Sequence, residues 1–178
     1  MPTGPDTAID GETQTAQTVP SRMAVLKHPV HPMLVVYPIA FLSMLPVTDA
    51  LHAWRGGAFW AEASFWLNAA GLGLGVLAGL VGMVDLLGIR AVRRHVSAWS
   101  HFIAAVMVLA LAAAGLWLRW PDPAAATWPW GLVLSGVTLL LVMVAGWLGG
   151  TLSFRHGIGV YGGQEPVGTT ADRRPPGA

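Results

Sequence analysis

Residues 63–84 read ASFWLNAAGLGLGVLAGLVGMV, 22 positions between Glu62 and Asp85 without one Asp, Glu, Lys or Arg. A helix needs about 20 predominantly apolar residues to cross a hydrocarbon layer about 30 Å thick. The same reading extends to both sides. Charge is absent for 21 residues between Lys27 and Asp49, for 24 between Arg94 and Arg119, and for 32 between Asp122 and Arg155. None of these runs alternates apolar with polar, and all are rich in Leu, Ala and Gly, which favours helices over barrel strands. The sequence therefore predicts an all-α integral membrane protein, a left-handed four-helix bundle. Its spans are expected near Met33–Ala53, Trp60–Leu87, His101–Leu118 and Gly131–Leu148. The second is longer than a bilayer needs, so it should tilt or project past the headgroups.

Composition agrees. Hydrophobic residues make up 54% of the 178 positions and charged residues 11%, against about 25% charged in soluble domains. That is too little polar surface to cover a soluble protein of this size. Cysteine is absent, which removes disulfides, thiolate metal sites and cysteine-held iron–sulfur clusters from this chain.

Four spans put both termini on one side of the membrane. Eight of the ten basic residues fall on that side: Arg22, Lys27, Arg90, Arg93, Arg94, Arg155, Arg173 and Arg174. The positive-inside rule makes it cytoplasmic. Six tryptophans, Trp54, Trp60, Trp117, Trp120, Trp128 and Trp130, gather at the other face as an interfacial belt. Residues 1–26 and 162–178 read as disordered cytoplasmic tails flanking one domain over 27–161. Met1–Gln17 is polar and carries no apolar core of a signal peptide. The proline-rich stretch Pro121–Pro129 suits a tight external connection.

Polar residues in a bilayer are costly and therefore informative. His28, His31, Asp85, His95, His101, Arg155 and His156 are expected at the cytoplasmic end, which collects five of the six histidines. Asp49, His52 and Glu62 are expected at the outer end, with Asp49 and His52 read as a structural pair. At 100° per residue, Gly71, Gly75, Ala78, Gly82 and Asp85 share one line, a small-residue stripe that lets another helix come close. Asp85 should then face a neighbouring helix, pair with Arg155 or a histidine, or cap a helix end. His101, Ala105, Val108, Ala112 and Gly115 form a second stripe. In His28-Pro29-Val30-His31-Pro32 each proline keeps its histidine extended. The pair Gly149-Gly150 should loosen the fourth helix before Arg155 and His156 turn toward the headgroups.

These motifs are similar to those of a family of bacterial inner-membrane proteins known as domain of unknown function 2231. The likeness spans roughly Lys27 to Tyr161. It is carried by His28-Pro29-Val30-His31-Pro32, by Pro38 and Asp49, by Gly82 with Asp85, by His101, and by Gly149-Gly150 leading to Arg155-His156-Gly157-Ile158-Gly159-Val160. The family often has an acidic residue where this chain has Thr151 and a tyrosine where it has Phe154. Some relatives are joined to Rieske-type iron–sulfur domains, and the bundle resembles small cytochrome b bundles. The resemblance thus implies an inner-membrane location and electron transfer.

Three functions stay open at this point. In a haem-binding electron-transfer subunit, His31 and His101 would be the axial ligands of a b-type haem, with His156 or His95 as substitutes and Arg155 serving the propionates. In a metal-binding protein, His28, His31, Asp85, His101 and His156 would supply nitrogen and oxygen ligands to a divalent ion. In a structural subunit, the same residues would only stabilise the cytoplasmic end. The expected partners are the lipid bilayer, a redox partner protein and further copies of the chain in a homo-oligomer. Nucleic acid is not expected, for want of a basic soluble surface. No hydrolase or phosphate-binding motif is present, which leans against an enzyme.

Overall fold

The computed structural model describes residues 18–160. Four long apolar helices dominate it: α1 (Val30–Arg55), α2 (Ala58–Gly88), α4 (Val96–Arg119) and α6 (Leu132–His156). Short helices α3 (Arg90–Arg93) and α5 (Pro123–Ala126) lie in the connections. The chain is an all-α membrane helical protein.

Local chemistry sets the helix ends. Pro29 is extended (φ −68°, ψ 125°) and precedes α1. Pro32 falls in the first turn, where its missing N–H has no intrahelical partner to lose. Gly56 and Gly57 end α1 at φ 70° and 87°, left-handed backbone that glycine adopts without strain. Asp122 caps α5 by accepting from the amides of Ala124 and Ala125, at 3.0 and 3.1 Å, so the proline-rich connection contains a helical turn. Helix α6 passes straight through Gly149-Gly150 and closes only at Gly157, φ 60°. The glycine pair does not loosen the helix as expected, because it lies inside the hydrogen-bonded ladder. With 31 residues, α2 is about 46 Å long, well beyond a hydrocarbon core of about 30 Å.

Helices α1, α2, α4 and α6 form a four-sided ring in which α1 packs on α2 and α6, and α4 on the same two. Leu42, Leu45, Val108, Ala112 and Val142 make the central core. Only 22–28% of each apolar window is buried, so most of each helix's hydrophobic surface points outward. Val36, Trp66, Leu80, Ile103 and Leu140 are examples. Hydrocarbon is the solvent that makes this arrangement stable.

Along the α2 stripe helix α1 comes close. A Cβ on Gly71 would come 2.6 Å from Leu42 Cδ2, one on Gly75 would come 2.6 Å from Leu109 Cδ2, and one on Gly82 would come 2.8 Å from the His31 ring. The small residues therefore receive side chains from α1 and α4, and the close approach is of knobs into holes.

At one end a buried ion pair joins all four long helices. Asp49 of α1 and Arg119 of α4 are 0% and 1% exposed and meet at 2.5 Å. Ser64 of α2 donates to Asp49 Oδ1, and Ser135 of α6 donates to Oδ2 at 2.7 Å. Arg119 also donates to the carbonyls of Gly115 and Gly131, at 3.1 and 3.2 Å. The expected Asp49–His52 pair does not form. His52 instead donates through Nδ1 to the Gly57 carbonyl at 3.0 Å, since its helix position turns it toward the loop.

Removing one partner of a buried ion pair strands the other, at a cost of about 3–5 kcal/mol. Asp49→Ala and Arg119→Ala should each destabilise the bundle by that amount in a reversible detergent–SDS unfolding titration. The double variant Asp49→Leu/Arg119→Met should lose less than the sum of the two single variants.

Candidate functional site

The opposite end carries the residues singled out for binding. His31 lies in the first turn of α1, and its Nδ1 donates to the carbonyl of Ala78 on α2 at 2.8 Å. His101 lies on α4, and its Nδ1 donates to the carbonyl of Ala145 on α6 at 2.9 Å. Each imidazole thus spans two helices, and a carbonyl acceptor keeps the proton on Nδ1. Neither Nε2 has a hydrogen-bond partner among the described residues. The ring centroids are 6.3 Å apart with planes at 85°.

Glycines seat both rings. Gly82 leaves room for His31, and a Cβ on Gly149 would come 3.1 Å from His101 Cε1. A cavity of about 280 Å³ reaches the pair from the bundle interior, lined by Pro38, Leu42, Gly75, Val108 and Val142 among others. A second cavity of about 140 Å³ approaches from the membrane surface, past Ser21, Asp85 and Phe102. Both include His31, His101, Gly79, Ala105 and Gly149 in their walls.

The other predicted site residues are distributed differently. His28 is exposed and bonded through Nδ1 to the carbonyl of Leu26 at 2.9 Å. His95 and His156 form a separate pair, with centroids 4.8 Å apart. The five histidines are therefore not one cluster. Arg155 is exposed and lines neither cavity. Among the described residues no three His, Asp or Glu side chains converge on a metal position, so the set His28, His31, Asp85 and His101 does not assemble.

Asp85 faces neither Arg155 nor a neighbouring helix. It holds residues 18–26, whose expected disorder the structure replaces with a strap. Ser21 donates to Asp85 Oδ2 at 2.5 Å, and the amides of Arg22 and Met23 donate to Oδ1 at 2.8 and 3.4 Å. The strap is pinned further by Val19, which bridges to Ile158, and by strands β1 (Ala24–Val25) and β2 (His28–Pro29). The remaining tail positions, 1–17 and 161–178, lie outside the described residues.

Fold and site define a multi-pass helical membrane protein with a buried ion pair at one end and paired, backbone-anchored histidines at the other. The family model described as a predicted membrane protein, domain of unknown function 2231, matches residues 27–162. The chain belongs to that family. No curated protein and no solved structure shows a significant match to it.

A side chain added where a ring is seated must displace the ring, at about 1–3 kcal/mol. Gly82→Ala should therefore lower stability by that amount. Gly73→Ala, which faces open space on the same helix, should be neutral or stabilising by up to about 1 kcal/mol. Melting curves in one detergent would compare the two.

Proposed function

We propose that this chain is a haem-binding, redox-associated membrane subunit in which His31 and His101 are the two axial ligands. The carrying observation is the geometry of that pair. A ligating imidazole nitrogen lies about 2 Å from its metal and the ring centre about 1 Å farther, so imidazoles on opposite faces of one ion have centres about 6 Å apart. The observed separation is 6.3 Å. A free divalent ion needs three or four protein donors to be held tightly. Porphyrin brings four equatorial nitrogens of its own, so a bare histidine pair completes a haem site and leaves a free-ion site unfinished.

The surroundings support the same reading. The carbonyls of Ala78 and Ala145 hold the Nδ1 protons and orient the rings, which leaves Nε2 of each as the ligand nitrogen. Gly79, Ala105 and Gly149 keep the space around the ring pair free of bulky side chains. The larger cavity, about 280 Å³, falls just short of the roughly 300–1,000 Å³ of cofactor sites, and the second, about 140 Å³, adjoins it. The walls of the larger cavity are mostly apolar. A bound haem would supply one-electron transfer.

The excess of basic residues at the histidine end favours a cytoplasmic position for it and for both termini, in a bacterial inner membrane. A redox partner protein would then approach from that face, over the strap held by Asp85.

Protein purified in detergent from haem-sufficient cells should show a Soret band, with α and β bands that sharpen on dithionite reduction. His31→Ala and His101→Ala should each remove most of the signal, while His28→Ala keeps it. A flat spectrum, or full haem content in both cavity-histidine variants, would contradict the proposal.

A further inference from the structure

The larger cavity beside His31 and His101 has walls of two kinds. Those on α2 and α4 are buried or half-buried throughout, whereas Pro32 and Ile39 of α1 and Gly146 and Phe154 of α6 are exposed. The cavity therefore opens sideways, between α1 and α6. From Pro32 to Ile39 this mouth runs about 10 Å along α1, within a helix long and apolar enough to cross a membrane. Hydrocarbon is the solvent outside it.

The approach from the membrane surface is covered. Of the described residues lining the smaller cavity only Pro32 is exposed, and Pro32 belongs to the sideways mouth as well. Ser21 is buried, and its bond to Asp85 holds the strap over that side. Among the described residues the open way to the two imidazoles thus starts in lipid.

We infer that the histidine site is loaded from the bilayer, by a flat amphiphile that dissolves in lipid and enters between α1 and α6. A porphyrin meets that description; its identity rests on the haem reading above, whereas the route rests on the exposure of the walls alone. Sideways entry also fits the size of the site. A cavity just short of cofactor volume need not enclose its whole ligand where one side is lipid.

Gly146 stands at the mouth with nothing within 4 Å of an added Cβ, and Gly136, on the same helix, is equally open but lines neither cavity. Gly146→Trp should therefore obstruct the mouth without straining the bundle, and Gly136→Trp is its control. Haem-free protein in liposomes is mixed with haem-loaded liposomes, and uptake is followed by the Soret band. Entry past an obstruction needs a rearrangement, which should slow uptake by Gly146→Trp roughly tenfold or more and leave Gly136→Trp at the parental rate. Parental uptake by Gly146→Trp overturns the inference.

The route is tested without haem by a lipid-dissolved aryl diazirine, photolysed and mapped by mass spectrometry. Val108 and Val142, buried but lining the larger cavity, should be labelled. Leu45, equally buried but lining neither cavity, should not. Gly146→Trp should remove the label from both valines. Unlabelled valines in the parent, or label undiminished in Gly146→Trp, overturn the lateral route whether or not haem binds. Label that Gly146→Trp removes, in a protein that takes up no haem, supports the route and contradicts the haem reading instead.

Discussion

The carboxylate of Asp49 is the point on which the bundle turns. It is fully buried and touches a side chain from each of the other three long helices: Ser64, Arg119 and Ser135. Leucine-lined helices in hydrocarbon have little hydrophobic reason to prefer one another to lipid, so packing and polar contacts decide which faces meet. An unpaired carboxylate or guanidinium there would be costly. Only an arrangement that brings α1, α2, α4 and α6 together around that position satisfies both charges. The pair therefore specifies the rotation of each helix as well as its neighbours.

Rotation fixed at one end is carried along rigid helices to the other. It aims His31 of α1 at α2, and His101 of α4 at α6, each reaching a carbonyl across the helix boundary. Glycines 82 and 149 accommodate the rings. The two ends thus divide the work: one carries a buried ion pair shared by all four long helices, the other two rings with one nitrogen each left over and cavities beside them. The Asp85 strap covers the surface of the second end and closes part of it from water.

The helices were legible because charge is absent over lengths set by the bilayer, and nothing else in a chain produces four such gaps. His101 was legible as a polar residue on a small-residue face, and His31 by its place in the repeated His-Pro motif before the first span. The ion pair was not seen, although both stripes lead to it. Continuing the α4 series His101, Ala105, Val108, Ala112, Gly115 by one step gives Arg119. Continuing the α2 series backward from Gly71 gives Asn68, Ser64 and Ala61, all buried. Arg119 looked like a boundary charge because it ends an apolar run, and periodicity alone was the signal that marked it as interior. The strap was hidden for another reason. Its order comes from Asp85, 62–64 positions away, and no local pattern encodes such a contact.

The claim that the histidine end is built around two opposed imidazoles is tested most directly by electron paramagnetic resonance of the purified ferric protein. Under the proposed haem ligation, His31 and His101 with their rings inclined at 85° predict a strongly anisotropic low-spin signal. Exchange of either His31 or His101 for alanine should convert any haem still bound to a high-spin form. A parent protein that shows only high-spin haem, or a low-spin signal that survives both exchanges unchanged, would contradict the account.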